Sequence, residues 1–518
     1  MSWLILAAFV LVIIYCFLRY QQSYWARRGV TGPPPSFFFG NSLSLMDQQR
    51  PGTLQLQKWT KEYGKAYGIN EGSRKVLVIS DPDMVHELFV EKFDNFYARK
   101  NMPLQPDAEN HPRVHVFAAQ GKRWKRLRAI SNPTFTVNNL KKIRFLVEDT
   151  ASNMIALLDK EANKSINIHE YFQEYTFDII GRLVMGQQGS NLFNNPLITP
   201  VKKMFSMDLN KPHQHLGMAF PPFRSYIREA FFLFKHFMKL PFLEVLEAME
   251  KAVNDRIALR ESLKAAGEWD SDSYEPRDFI DLFLDARSDD SVFLNEKDGY
   301  SKHESIKVEK TLSRDEVVAQ CIVFVLAGFD TTANSLAYAS FLLAKHPDIM
   351  RRVQAEIDEH CSGQVVSYES LSQLKYTDQV MKEALRMYPL AAFAQARTCI
   401  SPTTLGGIPV EKGVFVQADV FSLHYNKEIW GDDADKFNPS RFESTEKRHP
   451  AAWIPFGSGP RVCIGMRLAY MEEKMAFVHI LRKFDIVEAP DSEKELKLTG
   501  SMTISPEKVT VRLVPRKL

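Results

Sequence analysis

From Trp3 to Leu18 the chain carries no charge and is almost wholly apolar (WLILAAFVLVIIYCFL). At about 1.5 Å per residue the run falls slightly short of a ~30 Å hydrocarbon core, and Met1, Ser2 and Tyr20 extend it. The pattern predicts a membrane-spanning helix over residues 1–20, with Trp3, Tyr20, Tyr24 and Trp25 at the two interfaces. Arg19, Arg27 and Arg28 follow the run and no basic residue precedes it, which leaves the remainder on the cytosolic side. A cleaved signal peptide would show a basic residue before the run and an A-x-A-like site after it; neither is present. Residues 21–35 form a basic, proline-rich hinge, because Gly32-Pro33-Pro34-Pro35 is a stiff extended spacer that cannot continue a helix. Residues 36–518 form the body.

Helical periodicity dominates the body. Lys75–Ile79, Ile408–Val410 and Val414–Ala418 read as short strands, and Lys497 to Leu513 alternates like a hairpin or small sheet. Ser313 and Glu316 have capping-box spacing, and Lys345-His346-Pro347 supplies a stop, so a helix about 48 Å long is expected between them. Its first half, Val317–Ala327, is apolar on nearly every face, as in a buried core helix. Ala327-Gly328-Phe329-Asp330-Thr331-Thr332 then interrupts it with chemistry foreign to a packed interior. Two readings remain open: Gly328 ends one helix and the polar residues cap a second, or the helix opens locally beside a buried ligand, with Asp330 and Thr331 handling protons. Glu268 to Lys310 is polar and solvated apart from a short amphipathic helix over Phe279–Ala286. No period of 20–50 residues repeats. The expected architecture is one large, mainly α unit with small β-sheets.

Composition narrows the class. The 518 residues carry 66 Lys+Arg against 63 Asp+Glu, and this balance gives no support for nucleic-acid binding. The five cysteines, Cys16, Cys321, Cys361, Cys399 and Cys463, are unpatterned and suggest a reducing compartment rather than a disulfide framework.

Cys463 is the most informative of them. It ends a glycine- and proline-rich turn, Phe456-Gly457-Ser458-Gly459-Pro460-Arg461-Val462-Cys463-Ile464-Gly465, that leads into a helix with an apolar stripe at Leu468, Met471, Met475, Val478 and Leu481. A thiol at a helix N-terminus is expected to have a lowered pKa. No His or second Cys lies at zinc-like spacing. A lone thiolate in a glycine-lined loop suits an axial ligand to haem iron.

Phe456 to Gly465 resembles the F-x-x-G-x-R-x-C-x-G haem-thiolate signature of the cytochrome P-450 family, and the likeness extends over essentially the whole chain. Ala327–Thr332 resembles the family's oxygen-groove motif, Glu383-Ala384-Leu385-Arg386 its E-x-x-R motif, and Phe437–Phe442 the segment whose arginine, here Arg441, completes a Glu-Arg-Arg triad. Trp124–Arg128 resembles W-x-x-x-R. The anchor and hinge are similar to those of microsomal members, and the wording around Trp124 and Cys463 to the drug- and steroid-oxidising branch and its nematode relatives.

The resemblance implies a single cytochrome P-450 fold behind a membrane anchor, and haem b ligated by the Cys463 thiolate. It implies propionate contacts from Trp124, Arg128, Arg397 and Arg461, with Phe456 beside the cofactor, and a structural network of Glu383, Arg386 and Arg441. The implied activity inserts one atom of O2 into a lipophilic substrate, with Asp330 and Thr331 organising protons. Because the chain has no flavin or dinucleotide fingerprint, electrons are expected from a separate NADPH-dependent flavoprotein reductase. The implied location is the endoplasmic-reticulum membrane, spanned once, with the catalytic body in the cytosol.

Lys122, Arg123, Lys125, Arg126 and Arg128 form a basic cluster, in which Lys125 and Arg126 would face an acidic electron donor. Phenylalanines between Met218 and Phe242, interleaved with Arg224, Arg228, Lys235 and Lys239, suggest a second, in-plane membrane contact. Two rival functions are a peroxide isomerase or dehydratase, which Asp330-Thr331 argues against, and a non-enzymatic carrier of lipophilic ligands, which Cys463 argues against.

Overall fold

The architecture is that of a computed structural model describing residues 2–233, 240–268, 277–286, 292–293, 307–308, 311–443 and 448–517. The helices that position the site are α1 (Ser2–Gln22), α2 (Gly121–Ser131), α3 (Ile168–Val184), α4 (Arg224–Leu233), α5 (Arg314–Lys345), α6 (Lys375–Met387) and α7 (Met466–Lys483). The strands around it are β1 (Ala66–Glu71), β2 (Arg74–Ile79), β3 (Ala98–Arg99), β4 (Ser165–Asn167), β5 (Ala396–Thr398), β6 (Phe415–Ala418), β7 (Phe484–Glu488), β8 (Leu498–Thr499), β9 (Ser505–Pro506) and β10 (Thr510–Pro515), with further short two-stranded pairs elsewhere. The fold is mainly helical with small sheets.

α5 is the axis of the body. Its capping box is complete: Ser313 Oγ accepts from the Glu316 N–H at 3.2 Å, and the Ser313 N–H donates to Glu316 Oε2 at 3.2 Å. The helix runs unbroken for 32 residues, so the two-helix alternative at Gly328 does not hold. Gly328 instead lets α3 approach, since a Cβ there would lie 3.0 Å from Ile180 Cδ1. Hydrogen bonds tie α3 to its neighbours: Thr176 Oγ1 donates to the Phe329 carbonyl of α5 at 2.8 Å, and the Tyr175 hydroxyl to the Glu472 carbonyl of α7 at 3.0 Å. The α7 stripe Leu468, Met471, Met475, Val478 and Leu481 is buried in the same core.

The larger sheet has the order β1-β2-β6-β5-β3, with β2 and β6 parallel (Val76 opposite Phe415) and the other pairs antiparallel. At the C-terminus β8 and β9 form a hairpin, whereas β10 pairs back with β7 and with β4. Ile408–Val410 pairs with Thr403–Leu405. Phe279–Leu284 is helical, while most of Glu268 to Lys310 lies outside the described residues.

Two helices among the described residues are long and apolar enough to cross a membrane, Trp3–Gln22 and Arg314–Lys345; the second is mostly buried within the protein. Tyr24 and Trp25 are not interfacial. They are 2% and 3% exposed, packed among Leu77, Ile79 and Val416, and the Trp25 indole N–H donates to the Ile69 carbonyl at 2.9 Å. Apolar rings next to a ready sheet edge find more contact there than at a lipid surface. The chain just after α1 is therefore docked on the sheet rather than free.

Where α7 meets α5, Glu472 and Glu473 are buried. Burial pushes the Glu473 carboxyl up to about 8, with Asp378 adding to the rise and Ser335 and Lys474 opposing it. The folded protein thus holds a proton that an unfolded chain releases above the ordinary value of 4.5, so this group destabilises the fold increasingly from there to about pH 8. Glu473→Gln removes that penalty. Thermal melts from pH 5 to pH 8 should show the variant losing less Tm than the parent as pH rises.

Candidate functional site

On a helix otherwise buried, Val323, Leu326, Gly328 and Thr331 are half-open and Ala327 is exposed. At spacings of three, four and eight residues Val323, Leu326, Ala327 and Thr331 share one face of α5, whereas Gly328 turns toward Ile180 of α3. Cys463 is likewise reachable from outside although protein surrounds it, and its neighbours Ile464 and Gly465 are half-open. Both sets mark openings in a packed interior.

The turn ahead of α7 holds Cys463 by geometry. Gly459 has φ +67, and a Cβ on it would fall 1.9 Å from the Phe89 carbonyl oxygen, so only glycine fits. The Cys463 N–H donates to the Phe456 carbonyl at 2.9 Å, closing the loop; the Phe456 ring packs 5.4 Å from Tyr470. Burial raises the thiol's pKa, and the N–H groups of Gly465 and Met466 with the cations Arg128 and Arg99 offset this only in part. The expectation of a lowered thiol pKa from the helix terminus is thereby reversed for the metal-free thiol, because desolvation outweighs the dipole. Metal coordination would supply the missing stabilisation and deprotonate the sulfur outright.

Arginines gather around this loop. Arg397 is 1% exposed and gives its Nη1 to the Ala394 and Ala396 carbonyls at 3.0 and 2.9 Å. Burial and the nearby Arg99 depress its pKa strongly. Arg461 donates to the Ala119 carbonyl at 2.5 Å and to the Phe117 carbonyl at 3.3 Å, with its guanidinium 4.4 Å from the Trp124 ring. Arg99, on β3, donates to the carbonyls of Ala394 and Arg461, and burial pulls it down to about 10. Arg128 is close enough to Arg99 and Cys463 to perturb both. The Nε atoms of Arg99 and Arg397 are buried without a hydrogen-bond acceptor. Sequence reasoning had missed Arg99, because a lone arginine beside a two-residue strand has no pattern to find.

Asp330 and Thr331 are adjacent in sequence but separated by the helix turn. The Thr331 hydroxyl, on the open face, donates to the Ala327 carbonyl at 2.6 Å. Asp330 is 2% exposed and points elsewhere: its Oδ2 accepts from Asn334 Nδ2 at 2.8 Å, from Ser505 Oγ at 3.1 Å and from the Thr503 hydroxyl. Asn334 Oδ1 in turn accepts from His169 Nε2 at 2.7 Å. Asp330 therefore fastens the β8–β9 hairpin to α5.

Glu383 and Arg386 on α6 are fully buried and bidentate, with Nε–Oε2 at 2.7 Å and Nη2–Oε1 at 2.8 Å, and Arg441 Nε reaches Glu383 Oε1 at 3.2 Å. Arg386 Nη1 also donates to the His424 and Ala434 carbonyls. On α2, Arg123 and Arg126 are committed to Glu316, the capping residue of α5, so Arg126 does not face outward as expected; Lys122 does.

The family model described as Cytochrome P450 matches residues 30–512. Among curated proteins the chain is similar to the Caenorhabditis elegans cytochrome P450 proteins CYP13A4 (45% identical over 499 residues, 95% of each chain), CYP13A1 (44% over 513 residues, 98% of each) and cyp-13B1 (43% over 519 residues, 98% of this chain and 99% of that one).

Removing Glu383 leaves two guanidinium groups buried around a missing acid. Glu383→Ala should cost about 3–5 kcal/mol of folding stability, measured as a shift in the urea unfolding curve, and Glu383→Gln less.

Proposed function

The chain belongs to the cytochrome P450 family, and from that premise we propose a membrane-anchored monooxygenase that oxidises a lipophilic organic substrate with electrons from an NADPH-dependent flavoprotein reductase. The family's cofactor is iron-protoporphyrin with a cysteine thiolate ligand. The residues present fit it. Cys463 is a single accessible sulfur in a glycine-shaped loop, and the buried Arg99 and Arg397 have Nε donors without acceptors, which the two propionates would supply. Arg128, Arg461 and Trp124 would complete that contact.

When bound, the haem supplies dioxygen binding and reductive activation. The protein's own share concerns protons, water and orientation. Thr331 is the hydroxyl on the open face of α5; bonded to the Ala327 carbonyl, its oxygen keeps lone pairs for a water or a proton donor. Asp330 lies on the adjacent face of the same turn; as acceptor of the Asn334, Thr503 and Ser505 hydrogen bonds it would hold that turn, and so the Thr331 hydroxyl, in place for proton delivery. Phe117 and Phe393, with ring centroids 5.9 Å apart, would wall the substrate side. Lys122 and Lys125 on α2 would meet an acidic reductase surface, steering encounter more than tightening it.

α1 supports a single-span anchor in the endoplasmic-reticulum membrane, with residues 21–35 joining it to a cytosolic catalytic body. Phe223, Tyr226 and Leu233 on and beside α4 are 58%, 75% and 76% exposed, beside Arg224 and Arg228, which supports a second contact lying in the membrane surface. Phe234, Lys235, Phe237 and Lys239 lie outside the described residues.

The observation that carries this reading is Cys463, alone and accessible among arginines. The reduced protein under carbon monoxide should give the absorption band of a thiolate-ligated haem, and Cys463→Ser should abolish that band; a colourless protein after haem loading would overturn the assignment. Thr331→Ala should lower product formation about 10²-fold while reconstituted NADPH oxidation continues, read as product per NADPH consumed.

A further inference from the structure

Three segments far apart in sequence meet behind Asp330. Where β4 hands over to α3, the Ile168 N–H donates to the Val509 carbonyl at 3.0 Å, and Asn167 Oδ1 accepts from the Val509 N–H at 3.0 Å. These bonds hold the next residue, His169, beside α5. On α5, Asp330 and Asn334 lie four residues apart and share a face. From the C-terminus the β8–β9 hairpin brings Thr503 and Ser505. His169, Asp330 and Asn334 are 5%, 2% and 0% exposed, so water does not compete for the bonds among them.

The Asn334 amide is the node of this cluster. A carboxylate only accepts, so the side of the amide that faces Asp330 Oδ2 at 2.8 Å is Nδ2, which also donates to Ser505 Oγ at 2.9 Å. That turns Oδ1 toward His169 Nε2 at 2.7 Å, and an amide oxygen only accepts. His169 Nε2 therefore carries the hydrogen. Burial lowers the pKa of the ring against the pull of the Asp330 charge, so the ring that makes this bond is neutral. An amide does not pass protons on, so the cluster orients and does not conduct. Without the His169 donor the Asn334 amide is free to turn over and present its oxygen to the carboxylate, which repels it. Asp330 then loses the partner that fixes it on the turn carrying Thr331.

We propose that His169 is a positioning residue for oxygen activation: its Nε2–H sets the Asn334 amide, Asn334 sets Asp330, and the turn so held presents the Thr331 hydroxyl for proton delivery. This deepens the monooxygenase reading above and rests on it.

The test uses full-length haem-loaded protein in phosphatidylcholine vesicles with a microsomal NADPH-dependent flavoprotein reductase and no substrate. One NADPH and one proton then reduce O2 to H2O2, or two NADPH and two protons reduce it to two H2O; only the second route breaks the O–O bond and depends on placed protons. His169→Met, similar in bulk but without a donor, should raise the ratio of H2O2 to water about 3- to 10-fold, the worth of one hydrogen bond, with the ferrous carbonyl band retained. His169→Gln, whose amide can donate to Asn334 Oδ1, should keep the parent ratio. Independently of turnover, 15N spectra of histidine-labelled protein should show a neutral His169 ring with hydrogen on Nε2, the signal being identified by its loss in His169→Gln. Hydrogen on Nδ1 instead, an unchanged ratio in His169→Met, or a ratio in His169→Gln as high as in His169→Met would overturn the proposal. Absence of a thiolate-type carbonyl band in the parent would instead overturn the haem assignment, so the two failures are distinct.

Discussion

Guanidinium groups brought together in a dry interior need an anion, and that requirement governs the cofactor end of the molecule. Arg99, Arg397 and Arg461 donate hydrogen bonds to main-chain carbonyls of residues 117–119 and 394–396, and Arg99 also reaches the Arg461 carbonyl. Carbonyls satisfy donors but do not cancel charge. A cofactor bearing two carboxylates would do both. The same cations tie the segment before α2, the strand β5 and the loop carrying Cys463 to one another, so an anion bound among them would also order that loop.

Much of the scaffold was legible where the pattern is local. The capping box at Ser313, the stop at His346, the stripe from Leu468 to Leu481 and strand β2 depend on neighbours a few residues away, and periodicity reports them. What escaped depends on contacts between distant segments. The partners of Asp330 come from Asn334 but also from Thr503 and Ser505, more than 170 residues on. Arg99 gains its surroundings only when β3 pairs with β5. Tyr24 and Trp25, read beside an apolar run, resembled an interfacial belt; nothing local says that a sheet is waiting for them.

The glycine in α5 shows how composition can mislead in the other direction. Gly328 with Asp330 and Thr331 looked like a break in a buried helix, yet the helix continues, and the glycine accommodates Ile180 of α3. The polar residues are satisfied in two directions at once, Thr331 back along its own helix and Asp330 across to the β8–β9 hairpin. A single turn of helix therefore serves the open face and the C-terminal sheet together. Sequence change in the hairpin can reach the open face without touching it.

The Trp25 indole, bonded to Ile69 and sunk among Leu77 and Val416, pins the chain to the sheet just beyond the end of the first helix at Gln22. With residues 3–20 in a bilayer, the body cannot swivel on a slack leash. On the proposed anchor reading, a bilayer thicker or thinner than the helix prefers would lean the body with the helix rather than bend a joint. Bilayer thickness would then become a mechanical input, setting how far the body tilts toward the headgroup layer.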